Sequence, residues 1–327
     1  MEQILSLAAQ NLVSPIILSF ALGLFAALAR SELTVPEAAA KALSLYLLFA
    51  IGFKGGASVA AHGVDATLGL SLLAGVVLSF TLPFVAFGLL GVLSRLDRTD
   101  AAAVAAHYGS ISIVTFVAGT SILQSQGIAA EGYMVAVAAA MEAPAILAAL
   151  WLTAAGRRAG AGGAEPGLLR EILLNGSIVL LVGSFLIGWV TGPKGLAEIE
   201  SFIVAPFKGV LCLFLLDMGL VAGRGLRGGG GVLRPGLLIF GGLMPVIGSV
   251  FGLAAGLLLG LSTGGVALFM VLGASASYIA VPAAMRVALP EANPSIYLTL
   301  SLGVTFPFNL TIGLPLYIAA ARLATGG

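Results

Sequence analysis

The chain has 327 residues, of which 59% are hydrophobic and only 9% are charged, and its mean hydropathy is +1.12. Soluble domains average about a quarter charged residues, so this composition excludes an ordinary soluble enzyme. A disordered chain needs low hydrophobicity and high net charge, and a nucleic-acid binder needs a clustered basic excess, whereas 15 Lys and Arg here face 14 Asp and Glu. We therefore expect a multi-pass protein of the cell inner (plasma) membrane.

Apolar runs define the predicted elements, because a membrane helix needs about 20 mostly apolar residues. The prediction is an all-α polytopic fold. Its ten spans in chain order are 12–29, 38–55, 68–93, 101–123, 133–154, 172–190, 202–222, 237–261, 265–286 and 296–321. The most polar internal stretch, residues 156–171, is predicted to be a short cytoplasmic linker. It separates a first five-helix repeat, residues 1–155, from a second, residues 172–327.

The two halves keep the same register when one is shifted by 167 residues: Gly52 then meets Gly219 and Ser110 meets Ser277. An odd number of spans in each half gives the halves opposite orientations, which is the inverted-repeat architecture of secondary transporters. Arginines collect in the loops on one side, and cytoplasmic loops are enriched in basic residues. Both termini are therefore predicted to lie outside.

Two spans carry helix-breaking residues at matching places. The fourth contains the stretch YGSIS, residues 108–112, and the ninth places Ser275 and Ser277 ahead of Pro282. Glycine, serine and proline weaken the helical ladder, so the fourth and ninth helices are predicted to be discontinuous. A half-helix begins with amides that suit a small anion, and paired breaks point to a transporter site. The alternative is that these small residues line a tight helix interface.

Polar residues inside spans are the second signal, since ionisable groups are costly in a membrane. Glu142 is the favoured ligand for a hard cation such as Na⁺; the alternative is that it is protonated or bonded to a neighbouring helix. Asp217, the other acidic residue inside a span, has two interpretations. It is either a functional group or a residue that contacts Arg224 or water. Asn309 is the repeat mate of Glu142 and is predicted to belong to the same ion shell.

Four further residues have open interpretations. His107 adjoins the first break and either binds substrate or holds the broken backbone, whereas His62 is expected at the membrane interface. Lys54 either attracts an anion at the outer mouth or extends toward the interface. Cys212 is assigned to core packing. No nucleotide-binding, hydrolase or metalloprotease motif is present, so no enzyme activity and no cofactor are predicted.

Several passages together resemble the sodium-dependent bicarbonate permease family (SbtA-like). They are AIGFKGG at residues 50–56, the fourth span through YGSISIVTF, MEAPA at 141–145, LLDMGL at 215–220, GASAS with the following proline and Arg286, and LPEANPSIY at 289–297. The last is the most specific. The ninth span carries Tyr278, Ala280 and Val281 where the family motif has an acidic residue followed by Ser-Gly.

The resemblance implies Na⁺-coupled uptake of bicarbonate by two inverted five-span repeats. It implies a core domain from spans 3–5 and 8–10 that moves against a gate domain from spans 1, 2, 6 and 7, usually within a homotrimer. Some family members bind a cytoplasmic regulatory partner. Because the central linker of this chain is short, the resemblance does not extend to that partner.

The resemblance also assigns site residues. The substrate half-sites are Gly109, Ser110 and Ser112 in the fourth span and Ser275, Ala276 and Ser277 in the ninth. The cation-binding set is Ser112, Thr115, Glu142 and Asn309.

The leading hypothesis is a Na⁺-coupled symporter of a small anion, bicarbonate first. One alternative is a passive small-anion channel that needs no driving ion. Another is a non-transporting membrane sensor that binds an anion and signals through the central linker.

Overall fold

The computed structural model describes residues 15–63, 65–154, 176–228, 234–278, 281–282, 285 and 289–326. This part of the chain is helical and contains no strand. Eight helical segments within it are long and apolar enough to cross a membrane, and two apolar helices are shorter, Pro15–Leu28 and Thr263–Gly273. The all-helical, multi-pass prediction is confirmed. The predicted linker and the second half of the ninth span fall largely or wholly outside the described residues.

Fourteen α-helices are described, numbered here in chain order. The first half contains α1 (Pro15–Leu28), α2 (Glu37–His62), α3 (Ala66–Leu93), α4 (Arg98–Gly109), α5 (Ile113–Ser125), α6 (Met134–Ala140) and α7 (Glu142–Ala154). The second half contains α8 (Gly176–Ile203), α9 (Phe207–Gly228), α10 (Pro235–Leu258), α11 (Thr263–Gly273), α12 (Pro294–Leu300), α13 (Phe306–Phe308) and α14 (Leu314–Thr325).

Five predicted spans are broken, kinked or extended relative to one continuous helix. The ninth breaks where α11 ends, at Gly273. The fourth is split into α4 and α5, and the fifth is split at Met141, which separates α6 from α7. The sixth was predicted to end at residue 190, but α8 continues to Ile203. It kinks at Gly192, because this glycine has a positive φ of 61° and Pro193 follows it. The tenth contains two π-helical turns, Ser301–Thr305 and Asn309–Gly313, which its apolar pattern did not predict.

The first two helices of each half pack against the first two of the other half. Helix α1 lies along α9, and α2 lies along α8. Glycines make these contacts close: a methyl group added at Gly23 or Gly219 would overlap backbone of the facing helix, as would one at Gly56 or Gly188. Small residues let membrane helices approach closely, so these pairs have almost no room for larger side chains.

Broken helices occupy the centre of the molecule. Every residue of 101–109 in α4 and of 264–273 in α11 is buried. Helix α3 packs on α4 and α7, α10 packs on α11, and α3 and α10 also contact each other. Outer helices carry exposed leucine, isoleucine and phenylalanine, a surface that suits lipid rather than water. This arrangement explains the high hydropathy and places the scarce polar groups inside.

Candidate functional site

The first break lies between α4 and α5, where three residues leave helical geometry. Ser110 and Ser112 are both extended, with φ/ψ of −89°/166° and −97°/103°. Ser112 caps α5: its Oγ accepts hydrogen bonds from the Thr115 amide at 3.2 Å and from Thr115 Oγ1 at 2.8 Å. The first amides of a helix have no acceptor within that helix. Those of Ile113 and Val114 therefore form a positive end inside the protein.

Close packing accounts for the glycine at this break. A methyl group at Gly109 would overlap the ring of Pro83 and the carbonyl of Ser79, both on α3. The sequence suggested flexibility at Gly109, and the structure adds a steric requirement. The residue lets the end of α4 sit directly against α3.

Glu142 reaches the first break from the neighbouring span. It begins α7, is 7% exposed, and its Oε2 accepts a hydrogen bond from Ser110 Oγ at 2.7 Å. The preceding carbonyl, that of Met141, accepts a bond from the Ser79 hydroxyl. The discontinuity between α6 and α7 thus brings the intramembrane carboxylate to the residue where α4 ends. Ser110 and Glu142 are brought together, as a shared site requires.

The second break follows α11, and it meets the first. The chain is non-helical through residues 274–278. The Ser277 amide donates to the His107 carbonyl at 2.7 Å. His107 therefore holds the broken backbone through its main chain, while its ring stacks on Tyr297 and its Nδ1 faces the Ala103 carbonyl at 2.6 Å.

The hydroxyls of the second break are directed to local backbone. Ser275 Oγ donates to the Val271 carbonyl at 2.6 Å, and Ser277 Oγ accepts from the Val281 amide at 3.4 Å. Ala276 is also buried. The predicted second half-site is therefore a buried loop. The hydroxyls of its two serines form hydrogen bonds with backbone groups on either side of the loop.

Asn309 does for the second break what Glu142 does for the first. It lies at the start of the second π-helical turn and is 1% exposed. Its Nδ2 donates to the Ala274 carbonyl at 2.8 Å, and its Oδ1 accepts from the Tyr317 hydroxyl at 2.9 Å. No hydrogen bond joins it to Glu142, so each polar side chain serves the break of its own half.

Two tyrosines contribute polar groups that the sequence did not single out as ligands. Tyr317 was missed because it lies eight residues beyond Asn309 in an ordinary apolar run, and only the three-dimensional contact reveals its hydroxyl. Tyr278 was noted as a family departure. Its hydroxyl lies close to Ser112 but outside hydrogen-bonding geometry. It is therefore buried with no partner in the described part of the chain.

The remaining candidates lie apart from the breaks. Asp217 is buried in α9 and interacts electrostatically with Arg224, which matches the structural interpretation. Lys54 lines a cavity beside α5. Cys212 is a free, partly buried cysteine packed on the core. The side chain of His62 lies outside the described residues, as do Ala280 and Arg286.

The specific sequence motifs also meet in space. The Asn293 amide, in the LPEANPSIY passage, donates to Asp100 Oδ1 at 2.7 Å. Asp100 belongs to the first turn of α4, and Asn293 caps α12. One hydrogen bond thus joins the start of the fourth span to the start of the tenth.

Comparison with protein families agrees with this geometry. The model of the Na⁺-dependent bicarbonate transporter superfamily matches residues 15–322. A comparison with curated proteins finds no match. The family match covers nearly the whole chain, so the chain belongs to this superfamily, and the resemblance drawn from its motifs is confirmed.

Proposed function

For this membrane transporter of the Na⁺-dependent bicarbonate superfamily, we propose the finer function of a Na⁺-coupled symporter of bicarbonate. The observation that carries the proposal is the hydrogen bond from Ser110 to the buried Glu142 carboxylate at the break between α4 and α5. A buried carboxylate that is ionised needs a compensating positive charge. A cation bound beside the break supplies it.

The cation half of the site combines a carboxylate with backbone dipoles. Glu142 would supply the charge, and the hydroxyls of Ser110, Ser112 and Thr115 are oxygen donors on the same break. The carboxyl end of α4 lies at this break and carries partial negative charge. Broken helices of transporters coordinate Na⁺ in this way. The donor set therefore fits a hard monovalent cation.

The anion half of the site is the amino end of α5. The amides of Ile113 and Val114, with the unpartnered Tyr278 hydroxyl nearby, are hydrogen-bond donors for an oxyanion. Helix amino ends bind small anions through such amides. The proposed bicarbonate position lies between Ser112 and the second break. Ser110, which contacts Glu142, lies three residues before the first residue of α5.

Coupling follows from the shared loop. Residues 110–112 carry both the Ser110 contact to Glu142 and the Ser112 cap of α5. A cation that fixes Ser110 also fixes the start of α5, and the anion then binds an ordered site. Each ligand lowers the ordering cost of the other, and the effect is reciprocal.

The inverted-repeat and gate-and-core assignments are supported by symmetric contacts. Exchange of the two halves turns the α1–α9 pair into the α2–α8 pair, and both pairs are the extensive helix contacts of the fold. The close-contact residues Gly52 and Gly56 of α2 correspond to Gly219 and Gly223 of α9 at the same shift of 167 residues. We assign these four helices, from spans 1, 2, 6 and 7, to the gate and the helices of spans 3–5 and 8–10 to the core. The family resemblance supports a homotrimer. The basic residues of the loops support external termini.

The test is uptake of labelled bicarbonate by proteoliposomes that contain the purified protein. We expect an inward Na⁺ gradient to drive accumulation, and a K⁺ gradient of the same size to drive none. Glu142→Gln should remove the Na⁺ dependence, whereas Ser184→Ala is a matched control because Ser184 is buried in α8 and bonds only its own helix at Leu181.

Two results would overturn the proposal. Flux that is rapid but indifferent to the Na⁺ gradient would identify a channel. Bicarbonate binding without flux would identify a sensor.

A further inference from the structure

A cavity of about 310 Å³ lies between helices assigned to the gate and helices assigned to the core. Its rim includes the exposed Gln124 and Ala129. Its floor includes Phe116, Val117 and Leu268, each no more than 2% exposed. The cavity therefore runs from an open edge of the molecule down into its buried centre.

Lys54 supplies the positive charge of this cavity. It lies on α2 and lines the cavity wall, and its Nζ sits 3.7 Å from the ring centroid of Phe207 on α9. A cation over an aromatic face is attracted by the negative face of the ring. In the part of the chain that the structure describes, no carboxylate lies within ion-pair distance of Lys54.

The one acidic residue of the cavity wall is hydrogen-bonded to the start of α11. Glu131 accepts hydrogen bonds from the Ser262 amide at 2.7 Å and from the Ser262 hydroxyl at 3.0 Å, one on each carboxylate oxygen. Gly265 permits this contact, because a methyl group there would overlap the Glu131 carboxylate. Glu131 therefore ties its loop to the start of α11 and is held on that side of the wall.

The cavity ends next to the first break. Phe116 on its floor lies one helical turn after Ser112, a rise of about 6 Å along α5. Thr120, one turn further out, also lines the wall. The floor of the cavity and the amides at the buried end of α5 are therefore separated by about one helical turn.

We infer that this cavity is an anion-selecting antechamber in which Lys54 concentrates small oxyanions before they reach the break between α4 and α5. The inference rests on the proposed function for its cargo and adds a selecting residue outside the binding site. Because Lys54 belongs to α2 and Phe116 to α5, the antechamber has walls from both groups of helices.

The test measures the local field without using transport. In a Cys212→Ala background, Thr120→Cys places a reporter thiol in the cavity wall. The purified protein in detergent is treated with an anionic sulfonatoethyl or a cationic trimethylammonium-ethyl methanethiosulfonate reagent. Adding Lys54→Gln should lower the ratio of anionic to cationic reaction rates about tenfold at low salt, because one nearby unit charge acts oppositely on the two reagents.

Matched variants keep this test decisive if Lys54→Gln unfolds. Lys54→Arg retains the charge and should keep the ratio within about twofold. Lys41→Gln removes an exposed lysine from the same helix and should also leave the ratio unchanged. An equal ratio with Gln and with Arg at position 54 would overturn the inference, as would an unreactive thiol at position 120. Failure of Na⁺-driven bicarbonate uptake with a normal Lys54 effect would instead reject only the proposed cargo or coupling.

Discussion

The contact between Ser110 and Glu142 has a counterpart in the second half of the chain. Glu142 and Asn309 occupy equivalent positions at a shift of 167 residues, and each lies on the last span of its half. Glu142 binds Ser110, whereas Asn309 binds the Ala274 carbonyl. One position therefore carries a charge and its mate carries a neutral amide. This asymmetry suits one cation rather than two.

Ser110→Ala tests the residue-level account. The variant removes the hydroxyl that donates to the buried carboxylate, which should cost about 1 to 2 kcal/mol of stability. It should also raise the Na⁺ concentration for half-maximal uptake about tenfold, a loss of similar free energy. Thermal unfolding and Na⁺ titration of uptake measure the two effects.

Ser184→Ala is the comparison for that variant, since its hydroxyl bonds the carbonyl of Leu181 in its own helix. It should leave the Na⁺ titration where it was. If Ser110→Ala and Ser184→Ala shift the titration equally, Ser110 has no special role at the cation.

Residue-level chemistry was predictable in part. An acidic residue in an apolar run identifies itself by its cost in a membrane, so Glu142 could be selected from the sequence. Its pairing with Ser110 could not be predicted, because Ser110 lies 32 residues earlier on another span. The Tyr317 contact to Asn309 escaped for a similar reason: a tyrosine in an apolar run is ordinary until its hydroxyl is placed.

At the scale of elements, the break after α4 depends on how closely α3 approaches. Gly109 faces Pro83 and the Ser79 carbonyl. Pro83 lacks an amide hydrogen and lies within α3. The same contact therefore joins two places where regular helix is weakened.

Gly109→Ala should be destabilising by about 2 to 3 kcal/mol, because the added methyl group has no space against α3. Gly88→Ala, on the exposed side of α3 with no atom near the added group, should be neutral or stabilising by up to about 1 kcal/mol. Thermal unfolding in detergent measures both. Equal melting temperatures for the two variants would contradict the packing role of Gly109.

Elements followed from hydropathy and from helix breakers, but not uniformly. Gly109 with two serines predicted the first break, and Pro282 after two serines predicted the second. The π-helical turns of the tenth span were not predictable, since its apolar pattern continues through residues 301–313. The extension of α8 beyond Gly192 was missed because that segment carries Lys194, Glu198 and Glu200 and does not resemble a span.

At the scale of the whole molecule, two kinds of helix contact differ in character. The α1–α9 and α2–α8 contacts are glycine-mediated and extensive, whereas fewer residues join α2 to α6. We expect the core to move against the gate across the smaller contact, between α2 and α6. Which helices pair between halves could not be read from the sequence, because every apolar face is a candidate partner.

The most direct test of the central claim is equilibrium binding of radioactive sodium to the purified protein, with and without bicarbonate, for the native chain and for Glu142→Gln. The account predicts that bicarbonate raises the Na⁺ affinity of the native protein by about tenfold, within the usual range of coupling between sites, and that Glu142→Gln abolishes the effect. A Na⁺ affinity that is the same with and without bicarbonate, or that survives Glu142→Gln unchanged, would contradict it.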